Sequence, residues 1–156
     1  MANREIVNQL DLEFAQLIKS LKDLVKLVPA DLLYKYSPAV SIGENILRSA
    51  AVVEQTCGGL TTNLWDDPFE WTLPETLSSA ERIEEYLAEV DVARQRVFKA
   101  LNEDGALSKY VSSPAGEEKL VISLLVEALV RAAEYRGRAR AMLKILSGHD
   151  TQGFII

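Results

Sequence analysis

The segment Leu120–Ala133, LVISLLVEALVRAA, is apolar nearly all the way around a helix and yet carries Glu127 and Arg131. A helix apolar on every side is normally buried, and a buried charge is costly unless it is paired or hydrogen-bonded. The two residues stand at i and i+4 with Glu first, the favourable order for a helical ion pair. They either rim a buried polar pocket or mark the one solvated stripe of the helix. On a helical wheel Glu127, Arg131, Tyr135, Arg138 and Met142 share a face with Leu120, Leu124 and Ala128.

Other chemistry is sparse. The chain has one Cys, Cys57, and one His, His149. No intrachain disulfide is possible, and a cytoplasmic location is expected. A zinc or nickel site normally draws on several His or Cys ligands, and this chain cannot supply two histidines. Cys57, before two glycines, reads as a small hydrophobe at a helix end or as a thiol at a mobile turn. His149, near the C-terminal end, reads as a surface residue and is the only base a Ser-His-Asp triad could use. There is no Gly-rich phosphate loop and no Gly-x-Ser-x-Gly. A formal net charge of −6 argues against nucleic acid, because nonspecific affinity for it rests on clustered Lys and Arg. The N-terminal MANREIVNQL has no signal-peptide core and no apolar run approaches ~20 residues, so no membrane role is expected.

The elements that must position these residues are helices. With 156 residues the chain is long enough for one domain, residues 1–156, with a substantial core. Leu10, Phe14, Leu17, Leu21, Leu24 and Val28 are spaced by four and three, which predicts a helix over 4–28 ended by Pro29. Ser41-Ile42-Gly43-Glu44 is a capping-box pattern, and the helix it starts, residues 43–56, carries Ile42, Ile46, Ala50, Val53 and Cys57 and stops at Gly58-Gly59. The stretch LTTNLWDDPFEWTLPETL, residues 60–77, holds Trp65, Phe69 and Trp71. A loop this aromatic packs as a lid or feeds an interface. Ser78 or Ser79 caps a third helix over 79–103, with Ile83, Leu87, Val90, Val97 and Leu101 as its stripe, interrupted by Arg94. The fourth helix runs over 117–147, with Gly148 as its C′ glycine. No strand-like alternation appears. The fold class is all-α, an antiparallel four-helix bundle.

The layout of long helix, Ser-Ile-Gly helix start, aromatic loop and two further helices resembles the DinB/YfiT-like superfamily of four-helix bundles. The final segment AAEYRGRARAMLKILSG adds to the likeness, which covers nearly the whole chain. Many members bind a divalent metal through one histidine on the second helix and two, four residues apart, on the last. Some use it to activate a low-molecular-weight thiol or a water. Anchoring on Ser41-Ile42-Gly43 and on Arg136-Gly137 places those ligands at Arg48, Arg131 and Tyr135. Arg stays protonated and has no lone pair to donate, and Tyr is a poor replacement, so the resemblance implies a metal centre that this chain lacks. On that resemblance Arg131 and Arg48 stand in for the metal's charge, with Glu127 or Glu44 as counter-charges, and make a buried ion-pair network or, if a cation stays unpaired, a pocket for a small anion. The plainer alternative sets Glu44, Asn45, Arg48 and Gln55 opposite the stripe Ile42–Ile46–Val53, so that Arg48 faces water. The expectation is a metal-free, cofactor-free binding or interaction module, a homodimer, with Arg48, Glu127, Arg131 and Tyr135 around a small anionic ligand. The alternative is a metal-dependent thiol S-transferase or hydrolase of the same superfamily with non-histidine ligands such as Glu44, Glu127 and Glu134. The nearby arginines oppose a hard cation there.

Overall fold

The computed structural model describes residues 3–35, 40–70 and 74–147. Four long helices, α1 (Glu5–Leu27), α2 (Ile42–Thr62), α3 (Ala80–Ala100) and α4 (Val121–Ser147), make up most of it. The fold class is all-α, as the periodicity predicts. All four helices contribute to one continuous core, and none is long and apolar enough to cross a membrane.

The core forms because each stripe lies on one face. Phe14, Leu17, Leu21 and Leu24 of α1, Ile42, Ile46, Ala50 and Val53 of α2, and Ile83, Leu87, Val90 and Val97 of α3 are all buried. Capping follows the serines. Ser41 accepts from the Glu44 amide at 3.2 Å, and Ser79, rather than Ser78, accepts from the Arg82 amide at 3.3 Å. Each bond satisfies one of the amides a helix start leaves open. Helix α1 has no side-chain cap of its own. Its first amides, Ile6 and Val7, donate instead to Asp104 at 3.2 and 2.9 Å, while Arg4 donates to the carbonyls of Phe98 and Leu101. The start of α1 is thus tied to the end of α3.

Three boundaries differ from expectation: α3 ends at Ala100 rather than residue 103, and the other two shifts have visible causes. Helix α2 does not stop at Gly58-Gly59 but continues to Thr62 and closes on Asn63, whose φ of 57° is left-handed. Glycine in a helix costs only about 1 kcal/mol relative to alanine, and here it is required. A Cβ on Gly59 would lie 2.2 Å from the Trp65 ring, so the glycine is the seat on which the loop's indole rests. Helix α4 starts at Val121, not residue 117. The residues before it form a small antiparallel hairpin, β1 (Tyr110–Ser112) with β2 (Glu118–Leu120). Three residues per strand are too few for an alternation to show. Its turn places Gly116 at φ 82°, in the left-handed region that glycine adopts freely.

The near-continuous apolar character of α4 does not mean burial on every side. Leu125, Ala128, Ala132, Ala139 and Leu143 face the core, while Val126, Glu127, Val130 and Arg131 are exposed. The charges mark a solvated stripe. The residues placed at Trp71, Gly148 and His149 lie outside the described residues.

Candidate functional site

Helices α2 and α4 meet through small residues, which lets their backbones approach. Ser49 is fully buried and donates to the Ala132 carbonyl at 2.7 Å. Ala50, Ala128 and Ala139 are buried beside it. One turn before Ser49, Asn45 is also buried. Its amide donates to the Val40 and Ser41 carbonyls at 3.0 Å each and approaches the Met142 sulfur at 3.5 Å. Toward the surface this seam opens into a groove, because the residues flanking the small ones are long.

The larger space is a cavity of about 540 Å³ lined by Val40, Asn45, Arg48, Tyr135, Arg138 and Met142. Its walls are mainly apolar and its cations sit at the edge. A smaller space of about 40 Å³ continues from it, lined by Arg48, Gln55, Asp67, Phe69, Arg131 and Tyr135. Arg48 and Tyr135 belong to both. The Arg48 guanidinium lies 4.0 Å from the centre of the Phe69 ring, and the Arg138 guanidinium 5.2 Å from that of Tyr135. Such cation–π contacts hold a guanidinium in place while leaving its N–H groups unspent. Phe69 is positioned by the short 3₁₀ turn Pro68–Glu70, whose Phe69 amide donates to the Asp67 carboxylate at 3.0 Å. The aromatic loop therefore packs over α2, with Trp65 on Gly59 and Phe69 on Arg48.

Electrostatically the groove is opposite in sign to the protein. Three arginines (Arg48, Arg131 and Arg138) and one carboxylate (Asp67) line the two spaces, a formal balance of +2 within a chain of net charge −6. Among the described residues none of the three arginines makes an ion pair. The Arg48 Nε is buried and has no hydrogen-bond partner among the described residues. Buried polar groups are nearly always satisfied, so this one stands out.

Of the residues expected from the sequence, Arg48, Arg131 and Tyr135 line one small space, while Glu127 stands elsewhere. Its carboxylate is half-exposed and accepts from Lys119 Nζ at 3.1 Å, so the expected Glu127–Arg131 pair does not form. The hairpin explains the substitution, since β2 delivers Lys119 to the start of α4. Arg48 is not simply solvated either; it is half-buried beneath Phe69. Arg138 and Met142, on the helical-wheel face with Tyr135, do reach the groove. Phe69 and Asn45 carried no signal beyond an aromatic loop and a polar helix position. The three positions the family resemblance marks for a metal hold two guanidinium groups and a phenol, a donor set that does not fit a divalent ion. Among the described residues no three His, Cys, Asp or Glu side chains gather, so Glu44, Glu127 and Glu134 do not form a carboxylate cage. Cys57 is buried, and desolvation pushes its thiol up to about 12, leaving it inert as a nucleophile.

The buried ion cluster lies at α1 and α3 instead. Arg94, which interrupts the α3 stripe, is buried and bonded through Nε to Asp91 at 2.9 Å and through a terminal nitrogen to Asp11. Burial alone would lower its pKa, but the two carboxylates together raise it. No family model matches the chain, and no curated protein or solved structure does so either.

Proposed function

We propose that this chain is a DinB/YfiT-like antiparallel four-helix bundle without the superfamily's metal, acting as a binding module for a small anionic ligand in the α2–α4 groove. The observation that carries this reading is Arg48. A half-buried guanidinium with no ion pair among the described residues, lining a cavity of about 540 Å³, is what an anion site requires. The apolar walls at Val40 and Met142 favour a ligand with a carbon body behind its charged head. The convergence of Arg48, Arg131 and Tyr135 on one space supports the superfamily likeness, which marked those three positions. Among the described residues the groove has cationic hydrogen-bond donors but no buried nucleophile or histidine base, and binding is the function it supports best.

Calorimetric titration with octanoate at constant ionic strength tests this. Saturable one-to-one binding is expected, with loss of about tenfold or more in affinity for Arg48→Met and no binding of octylamine. Equal binding of octanol would mean that the cavity reads only the apolar body and would refute the anion site. A chelator should leave the melting temperature unchanged, since a metal bound to the native state would add stability. A chelator-sensitive melt would favour the metal-dependent enzyme. The proposal includes a homodimer, which sedimentation velocity tests, and a cytoplasmic location.

A further inference from the structure

The side of α4 turned away from the core is apolar where the outer face of a surface helix is normally charged. Val126 is 44% exposed and Val130 53%. Half-buried Ile122 precedes them at the same four-residue interval, and half-buried Ala133 with exposed Gly137 and Ala141 continues the row. At 3.6 residues per turn these six positions fall within about 100° of one another, opposite the buried Ala128, Ala132 and Ala139. A Cβ built on Gly137 meets nothing within 4 Å, so the space before it is open. On the other helices exposed apolar residues stand apart, Val92 alone on α3 and Ile6 and Leu12 on different sides of α1. Scattered residues of that kind are ordinary, whereas a continuous exposed row marks a contact surface.

The order of residues in the row selects its occupant. Ile122, Val126 and Val130 are large, and Ala133, Gly137 and Ala141 are small. A second copy of α4 can lie antiparallel across the first, about a two-fold axis level with Arg131 and Ala132. Val130 then meets Ala133 of the partner subunit, and Val126 meets Gly137 of the partner subunit. Ile122 meets Ala141 of the partner subunit, so every large side chain faces a small one. Each half of the row runs in steps of four, the ridges that interdigitate at the commonest helix crossing, about −50°. A parallel pairing would set large against large and leave the small half unfilled. The charges on one flank have the same symmetry. Glu127, Arg131, Glu134 and Arg138 are all exposed, and an antiparallel two-fold brings a flank against its own copy. Glu127 stands across from Arg138 of the partner subunit and Arg131 across from Glu134 of the partner subunit. These pairs are centred one residue, or about 1.5 Å, from the apolar ones. Two acids and two bases make the flank neutral, which suits its own copy better than a charged surface. A guanidinium has five N–H donors, so Arg131 and Arg138 can serve this flank and the groove together. A self-complementary contact of this kind closes as a dimer.

We propose that two copies of this chain associate through the outer face of α4, antiparallel and with each large residue against a small one. The proposal rests on the homodimer of the reading above and names its interface. Gly137→Leu in the full-length protein tests it. The new side chain has room in the single chain and replaces a poor helix former with a good one. It fills, however, the space that Val126 of the partner subunit needs. Sedimentation velocity should show a dimer for the parent and dissociation at about tenfold higher concentration for Gly137→Leu. Adding Val126→Ala exchanges large and small at that pair and should restore the parent's dimer. Glu134→Arg sets like charges across from Arg131 and should also weaken association, and adding Arg131→Glu should restore it. Glu134 is exposed, so this second exchange keeps the test valid if Gly137→Leu alters the fold. A dimer unchanged in Gly137→Leu and in Glu134→Arg would show that the copies meet elsewhere. It would overturn the proposal and leave the homodimer standing. Exchanges that weaken the dimer and never restore it would overturn the antiparallel pairing. A monomeric parent would assign the face to another occupant and would overturn both. Octanoate binding at Arg48 is read separately by calorimetry, so the groove can fail or stand without the dimer.

Discussion

The α1–α3 and α2–α4 pairs each carry a desolvated arginine, Arg94 and Arg48, and they treat it in opposite ways. Between α1 and α3, Arg94 is spent. Asp91 holds its Nε and Asp11 a terminal nitrogen, while Phe14 packs on Phe98 with ring centres 5.6 Å apart next to the same stripe. Between α2 and α4, Arg48 lies against Phe69 and open space and the exposed Arg138 against Tyr135, and neither they nor the exposed Arg131 have a carboxylate in bonding contact among the described residues. A desolvated cation is tolerable when its donors are satisfied. Where they are not, the protein has kept interaction energy in reserve, and a ligand is the natural recipient. The first pair of helices thus spends its arginine on structure, and the second is the pair in which we propose a binding site.

The comparison breaks most visibly at Arg94. Arg94→Met removes a buried cation and strands Asp11 and Asp91, which are a third and a quarter exposed. Leaving a buried charge uncompensated costs about 3–5 kcal/mol, and the partial exposure of the carboxylates places this case near the lower figure. Urea unfolding measures it. Adding Asp11→Asn and Asp91→Asn to Arg94→Met should recover much of the loss. A stability within about 1 kcal/mol of the parent for Arg94→Met would mean that Arg94 is no more structural than Arg48.

Gly59→Ala probes the functional half through its scaffold. Alanine favours a helix by about 1 kcal/mol, but the new Cβ would stand 2.2 Å from the Trp65 ring and must displace it. Overpacking of this kind typically costs 1–3 kcal/mol, so a net loss of about 1 kcal/mol is expected, with a change in tryptophan fluorescence. In a Trp65→Ala background the same substitution should become neutral or stabilising. A gain in the parent background would show that the aromatic loop is not seated on α2.

Legibility in the sequence follows the same divide. Local rules located most of the helices: the four-three spacing of α1, Pro29 after it, and the serine caps at 41 and 79. They failed where a distant contact decided the outcome. Gly58-Gly59 reads as a stop because the sequence does not show Trp65 resting on it. Arg94 reads as an interruption because Asp11 lies 83 residues away. Glu127 and Arg131 have the spacing of a pair, yet Lys119 takes the carboxylate from a hairpin too short to leave an alternation. The grouping of Arg48, Arg131 and Tyr135 came from a family likeness and not from periodicity, and Phe69 had no marker beyond the aromatic character of its loop.

Between the two halves, Glu54 of α2 accepts from the Tyr86 hydroxyl of α3 at 2.6 Å. Desolvation raises its pKa, Glu89 adds to the rise, and the Tyr86 bond opposes it. A carboxyl whose folded pKa lies above its unfolded value of 4.5 favours the folded state while protonated, and that advantage is lost as pH rises through the folded pKa. Glu54→Gln keeps an acceptor for Tyr86 without the charge. It should be modestly more stable than the parent at pH 7, and the difference should shrink as pH falls through the folded pKa towards 4.5. A variant less stable at pH 7 would show that the charge is stabilised there, as in the Arg94 cluster.

The smallest effect is expected at the residues that looked most demanding in sequence. Glu127 is half-exposed and bonded to Lys119, and Arg131 is exposed. Exposed ion pairs contribute about 0–1 kcal/mol, so Glu127→Ala and Arg131→Ala should each unfold within about 1 kcal/mol of the parent. The double variant should show no coupling, because the two side chains are not partners. A coupling energy above about 0.5 kcal/mol would restore the helical pair that their spacing suggests. The two variants should separate in binding, however. Arg131 lines the narrow part of the groove and has no ion pair among the described residues, whereas Glu127 offers no donor to an anion. Arg131→Ala should weaken carboxylate binding and Glu127→Ala should not. A cation that is nearly silent in stability and plain in binding is the behaviour that distinguishes the α2–α4 half from Arg94.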